Sequence, residues 1–223
     1  MVAEIPADWQ IRCYICADSY LKSAQLSRAP VIKISDSRFT SLSDTVSPQG
    51  VMAVCEKRLF SISDLPGKGG KINPFLLIGE CLSDPGNIGT LIRTAAAAGA
   101  NGVILSAGSG DIYNPKTIRA AAGASLRIPV ISGADLKEVI PLLKSQGIMI
   151  LAAHLEGAVL PYDLDLCQSL GILIGNEAHG LSEELSTLAD IRIKLPMAPG
   201  IESLNASVAG GILLYEVIRQ RLR

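Results

Sequence analysis

The chain has 223 residues, 48% hydrophobic and 18% charged, with 20 Lys/Arg against 21 Asp/Glu and a formal net charge of −1. That length allows one large domain or two modest ones, with a core that needs no disulfide or metal staple. The charge balance excludes a broadly basic nucleic-acid coat, and a mean hydropathy of +0.36 points to apolar surface buried in a subunit interface.

The opening MVAEIPADWQ has no basic region followed by an apolar one, so no secretory leader is expected. No run of about 18 apolar residues follows anywhere, so no membrane-spanning helix is expected. Strand IRCYIC (11–16), a short helix SYLKSAQL (19–26), strand VIKIS (31–35), a short helix SRFTSLSD (37–44) and strand VMAVCEK (51–57) read as a small α/β unit. Cys13 and Cys16 form a lone C-x-x-C whose side chains point to opposite faces of a strand. With five scattered cysteines, an odd count, the chain suits a reducing cytoplasm, and no metal site is expected. Residues 1–72 carry nine Lys/Arg against seven Asp/Glu, net +2, and are the part better suited to meet a polyanion.

Residues 59–74, LFSISDLPGKGGKINP, hold three Gly, two Pro and two Lys and read as an interdomain linker. Beyond it the pattern is regular: strand 75–80, helix 87–100, strand 102–106, a helix around 115–122, strand 127–131, helix 134–147, strand 148–153, strand 170–175, a short helix at 182–187, strand 191–195 and helix 203–221. Such alternation means a parallel sheet covered by helices on both faces.

Three stretches carry candidate chemistry. In DPGNIGTLIRTAAAAGA, Asn87 is a suitable helix cap, and Ile88, Leu91, Ile92 and Ala95 form the core stripe. Arg93 falls on a face of small side chains with Gly89, Ala96, Ala97 and Ala100, so either something large packs there or the Arg is simply solvated. The same turn copies a dinucleotide fingerprint with Asp84 at the first glycine and Asp111 about 20 residues on, where a ribose-binding acid belongs. A carboxylate there would oppose a pyrophosphate. In GILIGNEAHGLSEEL, Gly175 and Gly180 bracket a strand-end loop where backbone can approach a ligand closely. Glu177 can meet a cation or hydroxyl, Ser182 caps a helix, and His179 reads as a loop histidine rather than a base. In LPMAPGIESLNASVAGGILLYE, Ser203 can cap the final helix, and Asn205 caps locally or serves a site. That helix is apolar or small nearly all round, so the fold or a second subunit must cover it, and Arg219, Arg221 and Arg223 suit its negative end.

Together the three stretches resemble the signature motifs of the SpoU (TrmH-like) branch of the SPOUT RNA methyltransferases. The residues are Asn87-Ile88-Gly89 with Arg93-Thr94-Ala95, Ile174-Gly175-Asn176-Glu177 with Gly180, and Leu195-Pro196-Met197 followed by Ser203-Leu204-Asn205-Ala206-Ser207-Val208-Ala209. The resemblance covers about residues 75–223. NPKTIRAAAGASLRIPV (114–130) also resembles a family segment, departing from it at Ala121 and Leu126. Residues 1–58 resemble the second half of the ribosomal-protein-like RNA-binding domain that precedes the catalytic domain in rRNA-directed members.

The resemblance implies an α/β domain with a parallel sheet and a C-terminal trefoil knot, preceded by the small α/β domain, and a cytoplasmic homodimer. It implies S-adenosylmethionine as cofactor, held around Ala153, Ile174, Gly175, Leu195, Met197 and Leu204. The product would be a 2′-O-methylated ribose, in rRNA ahead of tRNA. Arg93 would be the central catalytic residue, with Asn87, Glu177, Ser203 and Asn205 completing the site. Because a guanidinium keeps its proton, Arg93 is read as a phosphate anchor and alkoxide stabiliser rather than a base. The rival readings are a dinucleotide-dependent oxidoreductase, which leaves the second and third stretches unexplained, and a binding-only RNA protein.

Overall fold

A computed structural model of the chain describes residues 2, 5–20, 26–65, 73–156 and 159–222. It divides the chain into two units, Met1–Leu59 and Phe60–Arg223.

In the first unit, strand β1 (Ile11–Ala17) lies between β2 (Val31–Ile34), parallel to it, and β3 (Val51–Cys55), antiparallel, with helix α1 (Asp36–Leu42) between β2 and β3 in sequence. Ile11, Tyr14 and Cys16 form its core. Strict alternation would put Ile11 on the opposite face from the other two. A register shift between Ile11 and Cys13 adds the extra residue that restores it. Cys16 is buried and Cys13 partly exposed, as an odd separation along a strand requires. Most of the helix expected at 19–26 lies outside the described residues. Arg28 donates to the carbonyls of Ile5, Pro6 and Trp9 at 2.7, 2.8 and 2.8 Å, so this cation is committed to holding the chain's opening segment.

The second unit is built on β4 (Phe75–Gly79), α2 (Pro85–Ala97), β5 (Gly102–Ser106), α3 (Pro115–Ala121), β6 (Val130–Ala134), α4 (Leu136–Ser145), β7 (Met149–Ala153), β8 (Leu170–Ile174), α5 (Glu183–Leu188), β9 (Ile191–Ile193) and α6 (Ala206–Arg221). The six strands form one parallel sheet in the order β6-β5-β4-β8-β7-β9. Alternate residues serve two cores. Phe75, Leu77, Val103, Leu105, Ile172 and Ile174 face a layer containing α2 and α6, while Leu76, Ile78, Ile104, Ile150 and Leu173 face α4 and α5.

Several boundaries move from their expected places, among them the helix expected at 87–100, which spans Pro85–Ala97, and the one expected at 134–147, which spans Leu136–Ser145. The strand expected at 127–131 occupies Val130–Ala134, because left-handed Ala122 and Gly123 (φ 48° and 80°) end α3 and residues Ala124–Leu126 form a 3-10 turn before it. The final helix starts at Ala206 rather than Ser203. Within the stretch expected as a linker, Ile62–Asp64 form a 3-10 turn and Leu65 is buried in the core beside Gly102. The remainder, 66–72, lies outside the described residues. No helix among the described residues is long and apolar enough to cross a membrane.

The strand order places β4 beside β8. From β4 the chain moves outward through β5 and β6, and β7 and β9 lie on the other side. The crevice at the carboxyl ends of β4 and β8 is therefore where a parallel sheet of this kind binds ligands.

Candidate active site

All three chemistry-bearing stretches meet at that crevice. The α2 cap is Asp84, not Asn87: its Oδ1 accepts the Asn87 N–H at 2.9 Å, with Pro85 in the first helical position. Asn87, freed from capping, donates its side-chain Nδ2 to Glu177 Oε1 at 3.0 Å and accepts at Oδ1 from Asn205 Nδ2 at 3.0 Å. Asn205, not Ser203, caps α6. Its Oδ1 accepts the N–H groups of Ser207 (2.9 Å) and Val208 (3.3 Å) and the Ser207 hydroxyl (2.7 Å). The relay has one possible direction. The backbone N–H groups fix the Asn205 oxygen, so its nitrogen must donate, and the carboxylate at the other end can only accept.

Glu177 closes the relay and ties the β8 loop to the turn after β4. Oε2 accepts from the Ser83 N–H and hydroxyl, both at 3.2 Å, and Oε1 also accepts the Asp84 N–H at 3.3 Å. Partial burial opposes its ionisation, but the Asn87 amide and the Ser83 and Asp84 N–H groups outweigh that and hold its pKa below the usual carboxylate value. Asp84 is also held below its usual value, by the Asn87 N–H and by Lys116, whose Nζ lies 3.1 Å from Oδ2.

Gly175 is close to backbone, but to this chain's own. A Cβ there would lie 2.2 Å from Gly180 C and Leu181 N. The loop folds back because Asn176 and Gly180 exchange backbone hydrogen bonds, both 2.9 Å, while the Asn176 side chain donates to Cys81 O (2.6 Å) and accepts from the Ala178 N–H (2.8 Å). Cys81 is a non-glycine residue at φ 46°, held by that bond and by donating its N–H to Ser106 Oγ at 2.7 Å. Left-handed backbone on an L-residue costs about 1–2 kcal/mol. Ser83, Lys116, Asn176, Cys81 and Ser207 were all missed by sequence reasoning. Only Asn176 stood inside a quoted motif with a polar side chain at a strand end, a signal that could have found it.

The Arg93 side chain is exposed and makes no hydrogen bond or ion pair with any described residue, and the same holds for the Ser203 side chain. What packs on the small face of α2 is α3: a Cβ on Gly89 would meet Thr117 O at 2.5 Å and Ala120 Cβ at 2.6 Å. Ala121 is fully buried in that contact, which removes it from any substrate surface. His179 is exposed in its loop, and Asp111 accepts the Tyr113 N–H at 2.8 Å. In place of a pyrophosphate-binding glycine stands the Asp84 carboxylate, committed to the α2 cap.

The residues expected to hold a cofactor line the same edge. Ala153 ends β7, and Ile174 and Gly175 end β8. Leu195, Met197 and Leu204 follow β9, partly or largely open to solvent, and their backbone groups have no partner among the described residues. Unpaired backbone donors and acceptors beside half-buried apolar side chains suit a planar base with a polar edge.

Residues 74–215 match the model of the SpoU rRNA Methylase family, and the chain belongs to that family. An uncharacterised tRNA/rRNA methyltransferase of Synechocystis is 32% identical over 96% of this chain and 75% of its own length. The 23S rRNA (guanosine(2553)-2′-O)-methyltransferase RlmP of Bacillus subtilis is 32% identical over 82% of this chain and 71% of its own. Among solved structures, the SpoU methyltransferase AviRb from Streptomyces viridochromogenes in complex with AdoMet superposes with a TM-score of 0.88 at 28% identity, covering 96% of this chain and 84% of that one.

Proposed function

We propose that the chain transfers the methyl group of S-adenosylmethionine to the 2′-oxygen of a ribose in rRNA. One observation carries the reading: the Asn205–Asn87–Glu177 relay joins three segments far apart in sequence at one sheet edge, while the Arg93 and Ser203 side chains, on two of those segments, have no partner among the described residues. The relatives add the substrate class, since RlmP acts on 23S rRNA and AviRb binds AdoMet.

S-adenosylmethionine, when bound, supplies a methyl already activated by its sulfonium. The chain's own task is alignment and charge. Ala153, Ile174, Gly175, Leu195, Met197 and Leu204 hold the cofactor. Arg93 anchors the RNA and stabilises the alkoxide that develops on the 2′-oxygen. Ser203, with a free hydroxyl, contacts substrate or cofactor. Asn87, Glu177 and Asn205 are positioning residues. Each of their polar side-chain atoms already holds a partner among one another, backbone and the Ser83 and Ser207 hydroxyls, and a carboxylate with a lowered pKa is a poor proton acceptor.

The wider architecture follows the same reading. The unit Met1–Leu59 is the RNA-binding domain and Phe60–Arg223 the catalytic domain, and the enzyme works in the cytoplasm. A trefoil knot is supported by the return of α6 from β9: Asn205 reaches Asn87, Gly210 sits against Leu91 and Ile174, and Arg221 donates to the carbonyls of Asn73, Leu166 and Gln168. A homodimer is supported by the apolar stripe Val208, Ile212 and Tyr215 on the outer side of α6, exposed by 49, 39 and 52%.

The test is transfer of labelled methyl from S-adenosylmethionine into unmodified 23S rRNA and, separately, tRNA, with Arg93→Ala alongside. Label in rRNA, reduced at least 100-fold by Arg93→Ala at unchanged cofactor affinity, is the expected result. Equal transfer by the variant would sink the role of Arg93, and label confined to tRNA would overturn the substrate.

A further inference from the structure

Between α3 and α6 one strip of α2 is left open. Gly89 closes it on one side, in contact with Thr117 and Ala120, and Thr94 closes it on the other, 3.8 Å from a Cβ built on Gly211. Thr90, Arg93 and Ala97 are exposed along the strip and Gly86 begins it. Three of these four side chains are small or absent, so the floor is shallow, and its one charge is Arg93. At the other end lies Lys116 of α3. Its stem passes over Gly86, with Cε 3.6 Å from a Cβ built there, and its ammonium pairs with Asp84. Positions 86 and 93 are seven apart, hence on one helix face and roughly 10 Å apart along the axis. Long side chains on a helix lean toward its N-terminus, so Arg93 leans toward Lys116.

Lys116 is poorly explained as a stabilising ion pair. Both partners are exposed, by 59 and 44%, and such pairs contribute little. Asp84 needs no cation for its own structural work, which is to accept the Asn87 N–H. An ammonium has three donors, and Asp84 takes one. The other two have no partner among the described residues. Without Lys116, the Asp84 carboxylate would confront any polyanion laid along α2.

We propose that Lys116 binds the RNA phosphate adjoining the target ribose, forming with Arg93 a pair of cations that seats the strand along the open strip of α2. The proposal rests on the RNA methyltransferase reading. It makes Lys116 a substrate-binding residue, with a second duty of masking Asp84.

The test is equilibrium binding of a 23S rRNA transcript to the full chain at several salt concentrations, for the wild type, Lys116→Ala, Lys116→Arg, Asp84→Asn and Lys137→Ala. Lys137 carries the same charge on α4, against the opposite face of the sheet, paired with Glu184 at 2.7 Å. Lys116→Ala is expected to weaken binding roughly three- to tenfold at low salt and to make the slope of log affinity against log salt shallower by about 0.7–0.9. Lys116→Arg should retain most of the affinity, and Lys137→Ala should match wild type. Asp84→Asn should bind RNA at least as well as wild type, because a negative charge leaves the strip. Wild-type affinity and slope in Lys116→Ala would overturn the proposal, and so would Asp84→Asn reproducing the Lys116→Ala loss, which would mean that Lys116 acts only on Asp84. Titration of S-adenosylmethionine, expected unchanged, controls for folding. Methyl transfer measured on the same samples is a separate readout: its absence in wild type overturns the enzymatic reading and leaves the phosphate contact to be judged on binding alone.

Discussion

At the scale of single residues the site separates polar side chains that are spent from those that are free. Every polar side-chain atom of Asn87, Glu177 and Asn205 holds a partner, whereas the Arg93 and Ser203 side chains meet none among the described residues. A group left free on the elements that a rigid hydrogen-bonded cluster holds together is available to a reacting molecule. Glu177 gives this division a pH signature. Its folded-state pKa is depressed, so its stabilisation is complete above the ordinary carboxyl value of about 4.3 and is lost as pH falls through the folded value below that. Glu177→Gln places an amide nitrogen against donors on one side of the cluster. It is expected to lower stability at neutral pH and to flatten the acid limb of a denaturation profile below the ordinary carboxyl value of about 4.3. Superimposable acid limbs in the two proteins would remove Glu177 from the energetics of the cluster.

At the scale of elements, two glycines set the spacing. Gly89 lets α3 lie against α2, and Gly175 lets the β8 loop fold back on itself. Alanine in an ordinary helix interior gains about 1 kcal/mol over glycine. At Gly89 that gain is outweighed, because the added carbon would sit 2.5 Å from a backbone oxygen that cannot swing aside. Overpacking of this kind costs about 1–3 kcal/mol. At Gly175 no helical gain offsets it, and the obstruction is backbone at 2.2 Å. Gly175→Ala is therefore expected to lower the melting temperature by several degrees and, if the proposed cofactor site is right, to weaken S-adenosylmethionine binding at least tenfold, because the displaced loop begins at Gly175, one of the residues proposed to hold the cofactor. Unchanged cofactor affinity in calorimetry, with a normal melting temperature, would show that the loop tolerates the carbon.

At the scale of the molecule, the sheet order does the assembling. Placing β4 beside β8 brings α2 next to the loop after β8, and α6 then packs over both. The outer side of α6 keeps Val208, Ile212 and Tyr215 exposed on a chain already rich in apolar residues. Ile212→Asp with Tyr215→Asp is expected to convert a dimer into a monomer in sedimentation equilibrium, with the far-ultraviolet spectrum retained. A wild-type monomer at micromolar concentration would remove the dimer from the reading.

Read alone, the residues determined the strand–helix alternation, the parallel sheet and the three stretches that carry the chemistry, because hydrophobic period and Gly/Pro punctuation are local properties. They did not decide which polar residue does what. Asp84 and Asn87, three residues apart, are both good caps, as are Ser203 and Asn205, two apart, and local propensity ranks neither member above the other. Partners 90 and 118 positions away break the tie, since Glu177 draws the Asn87 side chain off its helix end and Asn205 reaches back to Asn87. The strand expected at 127 started late for a related reason: two left-handed residues and a 3-10 turn absorbed an apolar run that could serve either structure. Lys116 was invisible in sequence, one lysine among many, until the packing of α3 on Gly89 set its stem over Gly86. Periodicity is written into the chain, whereas pairing between distant polar groups exists only once the sheet order has brought them within hydrogen-bonding distance.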